Sequence, residues 1–85
     1  MSSGPGHVER AVARVIQRQQ RRKNRVWVEV WDVARLAYDR FEPTRAQEVA
    51  ARRAMHAFVR KHPKTYALVR GEGYTLLRIV RRDEQ

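Results

Sequence analysis

Apolar side chains recur along this chain with two different periods. Val8, Ala11, Val12, Val15 and Ile16 fall at i, i+3, i+4, i+7 and i+8, the spacing that lines one face of an α-helix. They predict a first helix over 7–23, with Glu9 in its opening turn and Arg18, Arg21, Arg22 and Lys23 near its end, both favourable for the helix dipole. Val30, Val33, Ala34, Ala37 and Tyr38 repeat the pattern and predict a second helix over 30–39. Arg40-Phe-Glu-Pro43 closes it, because proline cannot continue a helix. Thr44-Arg-Ala-Gln47 then matches a capping box and opens a third helix over 45–62, stopped by Pro63.

The other period is short and β-branched. Arg25-Val-Trp-Val28 predicts a brief strand, and Thr65–Arg70 and Tyr74–Val80 predict two more. Gly71-Glu-Gly73 between the last two reads as the tight loop of a hairpin. Residues 1–6 read as a disordered start, 7–80 as one domain and 81–85 as a polar tail. The order is helix, short strand, helix, helix, strand, glycine loop, strand. It is the order of a winged helix-turn-helix domain, an α+β fold with three helices and a C-terminal β-hairpin wing, and several other small α+β folds accommodate the same pieces.

Projected at about 100° per residue, the third helix separates into two sectors. Ala46, Ala50, Ala51, Ala54, Met55, Ala57 and Phe58 share one half, which predicts the core side. Arg45, Arg52, Arg53, His56 and Arg60 share an arc of about 100° on the other side, with Val49 in its middle. Arginine can bond guanine bidentately in the major groove of B-DNA, and an apolar side chain can meet the thymine methyl. Arg45, Val49, Arg52, Arg53 and His56 are therefore the base-reading candidates. Arg18, Arg21, Arg22, Lys23, Arg25, Thr44, Arg60, Lys61 and Lys64 are the DNA-backbone candidates, since phosphate contacts position and base contacts specify.

Composition sharpens this reading. The 85 residues carry a net charge of +10, with 42% apolar residues and no cysteine. Segment by segment the charge is +6 over 1–25, −2 over 26–43, +5 over 44–64 and +1 thereafter. Two basic segments flank an acidic one, and such charge calls for a polyanionic partner. The lack of cysteine excludes disulfide frameworks and thiolate zinc sites. Apolar runs of three or four residues fall far short of the roughly 20 that span a bilayer. The expected location is cytoplasmic and nucleoid-associated.

Val69-Arg-Gly-Glu-Gly-Tyr-Thr-Leu76 is the most specific string in the chain. It resembles the wing hairpin of OmpR/PhoB-type response-regulator effector domains, in which Arg-Gly-x-Gly-Tyr precedes an apolar strand. The basic helix Arg52–Pro63 lies upstream at a comparable spacing, so the resemblance covers about residues 26–80. Residues 1–25 do not match the amino-terminal sheet of those domains, and the resemblance is therefore to the wider winged helix-turn-helix superfamily. It implies the third helix in the major groove and a wing of Arg70, Gly71 and Gly73 at the minor groove or backbone. Size and charge also resemble the excisionases of phages and mobile elements, which bend DNA beside a recombinase.

Catalysis finds no support in the residues. Ser2 and Ser3 lie in the start expected to be disordered, and His7, His56 and His62 lack the ligand spacing of a zinc helix. No metal, cofactor, small-molecule ligand or membrane partner is expected. Trp27, Trp31, Tyr38, Phe41 and Phe58 read as core or hinge packing, although Trp31 lies off the apolar stripe and also suits a dimer contact or a cover for the hairpin. The expected function is sequence-specific binding of double-stranded DNA by a small transcriptional regulator or an architectural factor, with a homodimer or cooperative assembly on DNA open. The alternatives are an RNA-binding winged helix and a module that docks an acidic protein.

Overall fold

The stripe from Val8 to Ile16 folds as α1, Pro5–Lys23, in a computed structural model that describes residues 5–23, 26–70 and 77–82. The helix starts two residues before the expected His7, and proline is tolerated in a first turn, where its missing N–H has no intrahelical partner. Strand β1 (Trp27–Glu29) leads directly into α2 (Val30–Tyr38). The Asp32 carboxylate accepts the Glu29 N–H at 3.2 Å and so secures the start of α2. Asp39 ends that helix in the left-handed region at φ 51°, which aspartate tolerates better than most residues.

Helix α3 spans Arg45–Lys61, and its capping box forms as expected. Thr44 Oγ1 accepts the Gln47 N–H at 3.2 Å, while Gln47 Oε1 accepts the Thr44 N–H at 2.9 Å. After His62 the chain turns through residues 63–65 into β2 (Tyr66–Arg70), and β3 (Leu77–Arg81) follows. The sheet is antiparallel with order β1-β3-β2, so the last strand lies in the middle. The hairpin loop expected at Gly71 and Gly73 lies outside the described residues, as do residues 1–4 and 83–85.

Side chains alternate across a strand, and the register exploits that alternation. Val28, Ile79 and Leu68 align across the three strands on the side that packs against the helices. Val12, Val28, Val33, Ala34, Ala51, Met55 and Ile79 are completely buried at the junction of the three helices and the sheet. On α3 the inward residues are Ala51, Ala54 and Met55, with Phe58 and Val59 partly covered. Ala46, expected on the core side, is exposed in the first turn of α3.

Trp27, Trp31 and Phe41, expected in the core or at hinges, stand at the surface with 43%, 45% and 76% of their area exposed. The polarity of their neighbours accounts for this. Trp27 lies on the outer sheet face, where its Nε1 donates to Glu29 at 3.0 Å and the Arg78 guanidinium sits 4.3 Å from its ring. Trp31 and Phe41 flank Arg35, whose guanidinium lies 5.7 and 4.7 Å from their rings. Tyr38 and Phe58 do pack against the core.

Candidate nucleic-acid interface

With its alanine side turned inward, α3 must turn the opposite side outward. Arg45, Val49, Arg53, His56 and Arg60 are all exposed, and Arg52 at the margin of the stripe is half-buried. Val49 keeps 41% of its area exposed, an apolar side chain amid cations. The one acid of α3, Glu48, is half-buried and lies outside the arc that holds the arginines. No ion pair ties Arg45, Arg53, His56 or Arg60 to an acid among the described residues. At 1.5 Å per residue the stripe from Arg45 to Arg60 is about 22 Å long.

Two independent devices hold this helix in place. At the N-terminus the capping box satisfies two backbone N–H groups of the helix entry. At the C-terminus the His62 N–H donates to the carbonyls of Phe58 and Val59, and the rings of Phe58, His62 and Tyr66 pack together at centroid distances of 4.6 to 6.3 Å. Thr44, a phosphate-contact candidate, is therefore first a helix cap, and only its hydroxyl proton is left to donate.

Two of the remaining basic candidates, Lys61 and Arg18, meet acids or mixed charge of the domain itself. Lys61 Nζ lies 3.0 Å from a Glu9 carboxylate oxygen and ties α3 to α1. Arg18 lines an open depression of about 490 Å³ between α1, α2 and the turn after α2, with Asp32, Arg35, Asp39 and Arg40. No residue of α3 lines it. Arg21, Lys64 and Arg70 are exposed. The side chains of Arg22 and Lys23, together with all of Arg25, Gly71 and Gly73, lie outside the described residues.

Periodicity alone did not reveal the cation-aromatic group on α2. Its available signal was the i, i+4 spacing of Trp31 and Arg35, just off one edge of the apolar stripe. Packing around Asp32 raises its pKa above the usual value, chiefly by desolvation, with the Glu29 N–H opposing the shift. Among the described residues no cluster of His, Asp and Glu could hold a metal ion, and no helix is long and apolar enough to cross a membrane. No family model, curated protein or solved structure matches the chain.

Proposed function

We propose that this chain is a winged helix-turn-helix protein that binds double-stranded DNA sequence-specifically through the outer face of α3. The observation that carries the reading is the acid-free stripe of Arg45, Val49, Arg52, Arg53, His56 and Arg60 on a helix fixed at both ends. A single helix with its side chains fits the roughly 12 Å major groove of B-DNA. Arginines there address guanine edges, Val49 addresses a thymine methyl, and Arg60 meets a phosphate. The element order and the β1-β3-β2 sheet support the fold assignment. Arg70, exposed where β2 ends, serves the wing side of the contact, and Arg21 and Lys64 add phosphate contacts. The biological role is that of a small transcriptional regulator or an excisionase-like architectural factor.

Selection from a random duplex pool at about 0.15 M salt tests the proposal, with a salt titration of the winning sequence. The expected result is an enriched motif bound far more tightly than random duplex. Arg21→Ala should weaken all duplexes alike and reduce the salt slope by about one. An unenriched pool bound only through phosphates would reduce the reading to non-specific association. Preference for A-form RNA, or no nucleic-acid binding at all, would overturn it.

A further inference from the structure

The two edges of the sheet are treated differently by the fold. At the β1 edge the Gln19 side chain covers the backbone of Trp27. Its Oε1 accepts the Trp27 N–H at 2.7 Å, and its Nε2 donates to the Trp27 carbonyl at 2.6 Å. That amide stands in for a neighbouring strand and closes the edge. Nothing equivalent covers β2 among the described residues. The Arg82 N–H donates to the Thr65 carbonyl at 3.0 Å, which fixes the ladder phase. Ala67 and Val69 then bond inward to β3, while Tyr66, Leu68 and Arg70 turn their backbone groups outward. The Tyr66 N–H is used by the His62 carbonyl at 3.1 Å. The Leu68 N–H and carbonyl, the Tyr66 carbonyl and the Arg70 N–H have no partner among the described residues.

An edge strand of this kind is a template for another strand unless charge, proline or a bulge blunts it. Tyr66–Arg70 has no proline, pairs with β3 without a bulge and carries no charge before its last residue. We infer that β2 is a self-pairing surface, through which two copies of this chain join β2 to β2 antiparallel into one continuous sheet. The occupant follows from the strand's own sequence. In the one antiparallel register that pairs all five residues, Leu68 lies on the two-fold axis, opposite Leu68 of the second copy. Ala67 faces Val69 of the second copy, and Tyr66 faces Arg70. Each outward N–H of Leu68 and Arg70 then meets a free carbonyl, and the two arginines lie at opposite ends of the pairing. Placing a guanidinium by an aromatic ring repeats what Arg78 and Trp27 already do in this sheet. This inference is independent of the DNA reading and is tested without nucleic acid.

Cysteine substitution in a chain without native cysteine reads the register directly. Ala67 and Val69 of the two copies form a non-hydrogen-bonded pair with Cα atoms about 4.5 Å apart, within disulfide reach. Two Ala67 residues are a diagonal pair at roughly 8 Å, beyond it. Mixing Ala67→Cys with Val69→Cys under mild oxidation should give a disulfide dimer, and neither variant alone should. Sedimentation of the unmodified chain should show a dimer that tightens with added salt, because each copy carries +10. DNA binding has the opposite salt dependence. Leu68→Pro removes the outward N–H together with part of the Leu68 packing against the core, and the folded variant should be monomeric by circular dichroism and sedimentation. If that variant fails to fold, the cysteine pair still decides. A chain monomeric at all concentrations overturns the inference, and so does equal cross-linking of single variants or a folded Leu68→Pro that remains dimeric.

Discussion

The outer faces of α2 and α3 are consecutive in the chain and both lie in solvent, yet their chemistry differs. On α2 the polar groups are engaged within the domain. Asp32 accepts the Glu29 N–H, Arg35 lies between Trp31 and Phe41, and Asp39 and Arg40 follow with opposite signs. On α3 Arg45, Arg53, His56 and Arg60 share one face that carries no acid, and the three arginines recur about every two turns, while Lys61 turns away to Glu9. Exposure alone therefore does not mark an interface. What distinguishes α3 is charge of one sign at Arg45, Arg53 and Arg60 that no acid among the described residues pairs, the kind of surface an external polyanion would meet.

The largest expected effect separates the two sides of α3 itself. Met55 is completely buried between the helices and the sheet, so Met55→Ala removes its contacts and opens a cavity. It should lower stability by about 2–5 kcal/mol, out of a total of roughly 4–13 kcal/mol for a domain of this length. Urea denaturation checks this. Arg53→Ala, on the outer side, should leave the urea midpoint nearly unchanged. It should cost about 1–3 kcal/mol of binding on the selected sequence and far less on random duplex. Equal loss on both DNAs would mean that Arg53 meets only phosphates.

The same contrast explains how far the sequence could be read. The helices were legible because their apolar positions recur at the helical period and their ends carry local chemistry, as at Thr44 and Gln47. The α3 stripe was legible because rotation about one axis suffices to place Arg45, Val49, Arg53, His56 and Arg60 together. Relations between elements were not legible. Lys61 reads as a free cation until α1 brings Glu9 beside it, and Arg18 reads as part of a basic run until α2 surrounds it with mixed charge. Aromatic residues misled for a related reason. Their hydrophobicity predicts burial, but Trp27, Trp31 and Phe41 meet guanidinium groups at the surface, a preference that depends on partners distant in sequence or on a neighbouring turn.

Removing Arg35 tests the α2 half of the comparison. Arg35→Ala takes away the cation that lies 4.7 Å from Phe41 and 5.7 Å from Trp31. At a partly exposed site the loss should be about 0.5–1 kcal/mol of stability, read in denaturation together with a change in tryptophan fluorescence. Affinity for the selected duplex should stay within experimental scatter. Weakening comparable to that of Arg53→Ala would extend the interface across α2 and erase the contrast between the two helices.

The smallest effect concerns Asp32, the acid that starts α2. Its pKa is raised in the folded chain, chiefly because packing strips water from the carboxylate. A carboxyl group with a higher pKa folded than unfolded is held in a less favourable place when ionised. Its penalty is therefore present at neutral pH and disappears as the pH falls through the folded pKa toward the unfolded one. Asp32→Asn retains an oxygen that can accept the Glu29 N–H but carries no charge to desolvate. Parallel thermal melts of the two proteins from neutral to mildly acidic pH should therefore show the wild type gaining on the variant as acid is added. Other carboxylates titrate in both chains and cancel from the difference. A difference in Tm that stays constant with pH would show that Asp32 acts at the helix start through its hydrogen bond alone, and α2 would then carry no charge that the fold strains to keep.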